Sequence, residues 1–259
     1  MIENLQELVQ YRALLFSLIT RDLKARYRGS VLGFLWTFLN PIILMLVYTM
    51  VFSVIMRAGL PHYSYFLFVG LLPWLWFSTS VLSGTSSISD RRDLITKVKF
   101  PPQVLPMTVI GSSFLNYMLT LPLLFGFAWL SGIQIGWPIV CFPLLLLMQF
   151  VFTAGIVYIT ASINVTFRDL QHLIGNFVTF LYFLTPVLYP ADQIPERYRK
   201  LVWLLNPVAV LCGAYQDIFY YNRWPIFRRL GYLSVGIVLI LLLGSIYMAH
   251  RRESFAESA

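Results

Sequence analysis

Groups able to do chemistry are sparse in this 259-residue chain, and their spacing supports no reaction unaided. His62, His172 and His250 stand far apart with no neighbouring ligand pair, and Cys141 and Cys212 lie in apolar runs without the spacing of a metal site or a disulfide. HExxH, CxxC and GxSxG are absent. Asp192, Glu196 and Asp217 are the acids that could serve as the paired carboxylates of a transferase. No GxxxxGKS or GxxxxGKT occurs, so the chain has no P-loop to cradle nucleotide phosphates, and any ATP that drives it is bound by another subunit. The groups that do cluster are suited to binding, and they lie in Asp90–Pro102, DRRDLITKVKFPP.

Six of the first ten residues of this segment are charged, whereas positions 58–89 before it and 100–167 after it hold no Lys, Arg, Asp or Glu. Charge isolated in that way enters lipid at high cost, so the segment is expected in water between two membrane passages. Ser87, three residues before Asp90, reads as a capping box. Asp90 and Asp93 suit the positive end of a helix, Lys97 and Lys99 its negative end, and Pro101-Pro102 stops it. Leu94, Ile95 and Val98 would form a small apolar face able to enter a groove on a partner, ringed by Arg91, Arg92 and Lys97. An ordinary topogenic loop carries the same charges, so the residues leave both readings open.

The elements that must position this segment are apolar. The chain is 58% hydrophobic and 12% charged, with mean hydropathy +0.73, whereas soluble domains are about 25% charged. This composition reads as an all-α, polytopic membrane protein. The net charge of +8 comes from basic residues at the ends of apolar runs, a topology pattern rather than a nucleic-acid surface. Residues 1–28 set Glu3, Glu7, Gln10, Ser17, Arg21, Lys24 and Arg28 against Leu5, Leu8, Leu15, Ile19 and Leu23, predicting an amphipathic helix in the membrane surface; a helix packed on a partner fits as well. These residues lack the core and cleavage site of a signal peptide, so the first passage is expected to target the chain. Uncharged runs predict six spans at about 35–56, 64–87, 104–130, 138–163, 170–190 and 230–249. Asn40-Pro41 should kink or start the first, and SGIQIGWP at 131–138 supplies a turn. Residues 192–224 are amphipathic and broken by proline, and read as two short helices, about 195–205 and 207–221, that dip into the membrane without crossing. With no internal repeat, the chain reads as one domain over 1–259.

Six passages put both termini on one side, with twelve of the 19 basic residues against seven on the other, so the termini and the charged segment are expected in the cytoplasm. Ion-coupled transport needs an ionisable residue or an unwound helix within the membrane. The span interiors hold no acid or base, which leaves breaks at Pro41, Pro73, Pro122 and Pro143 as the provision for it.

Three stretches carry a family resemblance. RYRGSVLG at 26–33, continuing through Trp36 to Asn40-Pro41, is followed by NVTFRDL at 164–170, then by TPVLYP at 185–190 with Ile194-Pro195 and Asn206-Pro207. Together, in this order, they resemble the permeases of type-2 ABC exporters of the polysaccharide branch, membrane subunits that export lipid-linked O-antigen, capsule or teichoic acid. The resemblance covers about Leu18 to Arg252. It implies a homodimer in the bacterial inner membrane, flanked by two copies of an ATPase that holds ATP and Mg, with no cofactor in this chain and no nucleic-acid partner. Residues 1–28 would be an interface helix and 90–100 a coupling helix seated in the ATPase through Asp90, Arg91, Arg92, Asp93, Leu94, Ile95, Lys97 and Val98. Arg168 and Asp169 would lie near the same partner, or form an interfacial ion pair. Residues 192–224 would be an outward gate, lined or braced by Tyr198, Trp203, Tyr215, Tyr220, Tyr221 and Trp224. Trp36, Phe38, Tyr48, Trp74, Trp76, Tyr182, Phe183 and Tyr189 would offer ring faces to a sliding glycan, or form a lipid-facing belt. A permease for a small lipid or drug is the alternative within transport, and a membrane glycosyl or acyl transferase the alternative outside it.

Overall fold

The computed structural model describes residues 2–57, 59–91 and 100–251, and the backbone alone of residues 2–5 and 27. Every regular element among them is helical. Helices α1 (Ile2–Gln10) and α2 (Arg12–Tyr27) open the chain. Then come α3 (Trp36–Thr49), α4 (Tyr63–Ser86), α5 (Val104–Leu130), α6 (Phe142–Thr166), α7 (Leu170–Leu184), α8 (Glu196–Leu205), α9 (Pro207–Phe219) and α10 (Phe227–His250). A 3-10 turn, Gly33–Leu35, leads into α3, and a π-helical turn, Met50–Ile55, ends it.

The uncharged runs become helices because lipid offers backbone groups no partner, so each run must satisfy its own hydrogen bonds. Five helical stretches are long and apolar enough to cross a membrane, six if the bent pair α8–α9 counts as one. Their bounds follow the expected ones closely, with two exceptions. The fifth was expected to run to about 190, but α7 stops at Leu184 after 15 residues. At 1.5 Å per residue it is about 22 Å long, short of the roughly 30 Å of hydrocarbon. Pro186 forbids continuation, and Thr185 already has extended dihedrals, as residues before proline prefer. The opening helix is also divided, at Tyr11, and α2 lacks the single apolar stripe expected of it: Phe16 is exposed while Ile19 and Asp22 face the protein. The expected breaks at Pro41, Pro73 and Pro122 are absent; all three sit inside continuous helices, and Pro143 lies in the first turn of α6, where its missing N–H costs nothing.

Helix α4 is the hub. It packs on α3, α5, α6, α7 and α9, and 78% of its most apolar window is buried against 11% for the first span. Its burial is eased where polar groups find partners within the bundle, although Ser80 Oγ and Trp76 Nε1 are buried without one. Thr85 donates to Val81 O at 2.7 Å and meets Thr160 of α6 at 3.0 Å. Gln149 of α6 donates to Pro73 O at 2.8 Å. The tightest packing is between α6 and α10. A Cβ on Gly244 would lie 2.5 Å from Gly155 O, and one on Gly155 would lie 2.8 Å from Leu241 N, so two glycines let the backbones touch. Backbone cannot move aside as a side chain does. Gly244→Val is therefore expected to destabilise the folded protein by about 1–3 kcal/mol or prevent its folding, read as a lowered melting temperature or lost monodisperse peak in detergent, while Gly236→Ala, in open space on the same helix, leaves both unchanged.

Candidate functional site

The ends of α4 carry two polar assemblies, and the motifs singled out in the sequence fall at them. At the Ser86 end, the chain passes through a 3-10 turn, Ser89–Arg91, into the charged segment. Residues 92–99, with Arg92, Asp93, Leu94, Ile95, Lys97 and Val98, lie outside the described residues, as does the expected helix they would form. Asp90 accepts from Ser86 Oγ at 2.6 Å, whereas Ser87, the expected capping residue, turns back to Gly84 O at 2.7 Å because α4 runs on to Ser86. Asn164, the first residue of NVTFRDL, donates to Ser89 Oγ at 3.1 Å. Arg168 and Asp169, further along that motif, are exposed, with no ion pair between them.

Arg91 has a partner within the chain. Its guanidinium donates to Asp22 Oδ1 of α2 at 2.7 Å. The other oxygen of Asp22 accepts from Ser112 Oγ of α5 at 2.7 Å. Arg26, the first residue of RYRGSVLG, adds contacts to Ser112 at 3.4 Å, Ser113 at 3.3 Å and Asp22 at 3.7 Å. Ile19, one turn before Asp22, docks where Gly111 leaves room for it. Helix α2 is thus fastened to the feet of α4 and α5 by a charge-assisted cluster. Sequence reasoning passed over Asp22, yet a signal existed: it is the one acid between Glu7 and Asp90. Gly29 and Gly33 of the same motif have φ of +79° and +47°, which suits glycine at the turn from α2 into α3.

At the Tyr63 end of α4, TPVLYP is the node. Tyr63 donates to Leu188 O at 2.7 Å, Gln216 to Pro186 O at 2.6 Å, and Asn206 to Thr185 Oγ1 at 3.0 Å. Asn206 also caps α9, accepting from Ala209 N at 3.0 Å, while Pro207 begins the helix. Helices α8 and α9 meet there at 104°. Tyr65 donates to Phe219 O at 3.3 Å, and Tyr220 meets Phe66 edge-on at 5.2 Å and Tyr221 at 4.9 Å. Tyr215 is buried, with Phe142 6.1 Å away; Tyr198 and Trp224 are exposed. Trp203 lies beneath Arg229, whose guanidinium is 4.2 Å from its ring. Burial, then the Asp192 carboxylate, pushes the Tyr221 phenol above its usual pKa, so it stays a neutral hydroxyl. Asp217 is taken by Arg223 at 2.7 Å, and Asp192 and Glu196 are exposed.

The eight aromatics expected near a passage fall into separate groups. Tyr182 of α7 bridges Trp74 at 5.1 Å and Tyr48 at 6.0 Å, joining α3, α4 and α7, and touches the exposed Phe183 at 5.5 Å. Tyr189 donates to Phe183 O at 2.8 Å. Trp76 faces the other way, stacked on Tyr117 at 5.2 Å, and shares with Trp36 a cavity of about 750 Å³ between α3, α4 and α5. Phe38 packs edge-on against Phe34 at 5.4 Å. No group of three or more His, Cys, Asp or Glu able to hold a metal occurs among the described residues.

The Asp22–Arg91 contact yields a charge-swap test. Asp22→Arg or Arg91→Asp alone should cost about 1–2 kcal/mol, the range between exposed and buried pairs, and the double swap should recover only part of it in thermal unfolding, because the cation placed at position 22 would face Arg26.

A family model described as "ABC-2 type transporter" matches residues 13–220. The chain is 52% identical over 259 residues, all of both chains, to a protein of Myxococcus xanthus named O-antigen export system permease protein RfbA. It is 32% identical over 246 residues, 94% of each chain, to a protein of the same name from Klebsiella pneumoniae. Polysialic acid transport protein KpsM of Escherichia coli is 25% identical over 251 residues, 93% of this chain and 95% of its own. A match across both polar assemblies, with the helical architecture that carries them, places the chain in the ABC-2 type transporter family of membrane proteins.

Proposed function

We propose that the chain is the permease of an ATP-driven exporter that moves a lipid-linked, O-antigen-like polysaccharide across the bacterial inner membrane. The observation that carries this reading is the full-length, 52% identity to a protein named as an O-antigen export permease, in a chain without a P-loop. Two copies form the channel between them, and two copies of a separate ATPase supply the energy from ATP and Mg. The broad exposed apolar face of the first span, with Ile43, Leu46, Val47, Met50 and Val54, and that of α7, with Leu173, Phe177 and Phe180, supports a seam against a second copy or lipid. Both termini and the Asp90 end of α4 lie in the cytoplasm, by the basic-residue asymmetry.

The mechanism follows from α4 touching both assemblies. Residues 90–100 seat in the ATPase as a coupling helix, with the exposed Arg168 and Asp169 beside it. Closure of the ATPase pulls this segment, and the Asp22–Arg91–Ser112 cluster makes the interface helix move with it. The pull passes along α4, buried and continuous through Pro73, to Tyr63, Tyr65 and Gly70, which lie against the TPVLYP node and α9. There the bent pair α8–α9 acts as the extracytoplasmic gate within 192–224. Rings such as Tyr48, Trp74 and Tyr182 brace the passage, and the exposed Phe183 offers an apolar face to sugar.

Co-purification tests this reading. The tagged chain, expressed with the ATPase encoded beside it, should retain that ATPase through affinity and size-exclusion steps. Arg92→Glu with Lys97→Glu should lower its recovery at least tenfold without changing the melting temperature of the permease. Undiminished recovery would remove the coupling role from this segment, and recovery of no ATPase would remove the ABC assembly itself.

A further inference from the structure

Beside the bent pair lies a cavity of about 230 Å³ bounded by α8, α9 and the start of α10. Three guanidiniums, Arg199, Arg223 and Arg229, and two acids, Asp192 and Asp217, line it, so its formal balance is one positive charge. Two of the arginines are already committed. Arg199 donates to the Asp192 and Ile194 carbonyls at 3.0–3.3 Å and holds the 191–194 turn on α8. Arg223 donates to Asp217 at 2.7 Å and lies 4.6 Å over the Tyr221 ring. Arg229 differs. Its guanidinium rests 4.2 Å over Trp203, close enough to Asp217 to be attracted by it, and donates no hydrogen bond among the described residues. Trp203 is fixed in turn, since its ring edge fills the space a Cβ on Gly213 would need. Its indole Nε1–H is buried and without a partner.

We propose that this cavity is an anion site that takes a phosphoryl group carried on a sugar. A guanidinium laid on an indole keeps its fork in one orientation and is poorly hydrated, so its edge N–H groups meet an oxyanion at little cost in order. The Arg229 fork and the outer edge of Arg223 supply charged donors to the cavity, and charge-assisted bonds of this kind suit the oxygens of a phosphate. The sugar half of the proposal rests on the export function above; the anion half rests on the cavity alone. At the gate, such a site would hold a phosphorylated unit as it leaves and bias the chain against slipping back.

The full-length chain, in polyoxyethylene ether micelles that contain neither phosphate nor sugar, is titrated calorimetrically with glucose 1-phosphate and with glucose. The phosphate ester should bind at least about tenfold more tightly, as charge-assisted bonds require. Arg229→Gln should abolish that preference and Arg229→Lys keep part of it. Trp203→Phe, which leaves a smaller ring beneath Arg229, should weaken the ester about threefold. Equal affinity for the two sugars in the unmodified protein, whatever the variants do, overturns the proposal. So does an unchanged preference in a folded Arg229→Gln. Repeating the titration in phospholipid nanodiscs separates the sources: retained binding supports the sugar ligand, and lost binding assigns the cavity to lipid headgroups and refutes it. ATP-driven export that persists when the titration fails would overturn the anion site and leave the export function standing.

Discussion

Burial of α4 on every side is the constraint on which the rest of the structure depends. A helix surrounded by α3, α5, α6, α7 and α9 cannot tilt or slide without displacing all of them, because packed interiors transmit strain instead of absorbing it. Several polar groups along it find partners within the bundle, Thr85 at Val81 O and Thr160 and the Pro73 carbonyl at Gln149, which lowers the cost of burying them. What differs is its two ends. One is tied by Ser86 to Asp90 in the turn that follows it and by Arg91 to α2; the other is tied by Tyr63 and Tyr65 to TPVLYP and α9. A rigid body with polar attachments at both ends is what carrying a displacement across a membrane requires.

The glycine contacts between α6 and α10 serve the same end from the outside. With Gly155 and Gly244 in backbone contact, these two helices form one unit against which α4 is held. The first span is the opposite case. It touches the bundle along one side and leaves a cavity next to α5. Its far end unwinds into a π-helical turn, a local change in pitch that turns the following residues to a new face. Rigid core and loosely seated first helix together provide one part that transmits and one that can shift.

Most of the fold was legible because lipid is an exacting solvent. Runs without charge become helices of nearly the expected bounds, and the starts of α8 and α9 were visible in Pro195 and Pro207. What was hidden shares one cause: it depends on contacts between distant residues. Length alone made 170–190 a span, yet Thr185 and Pro186 leave the helix to bond Asn206 and Gln216. Sequence shows the charge of Arg91 but not its contact with Asp22, 69 residues away. Arg199, Arg223 and Arg229 counted only as topology charges until the fold brought them to one cavity. The motifs were more informative than any single residue, since each resolves into a place where the chain changes direction and needs a particular side chain to do so.

The central claim is that α4 carries movement from the ATPase-facing end to the gate. Pulsed electron–electron resonance on the reconstituted complex tests it most directly, with spin labels at the exposed Ser83, near one end of α4, and in a second preparation at the exposed Gln193, beside the bent pair. Distances between the paired labels of the two copies are compared without nucleotide and with a non-hydrolysable ATP analogue. The account predicts that both distributions shift together. A shift at Ser83 with an unmoved distribution at Gln193 would contradict it.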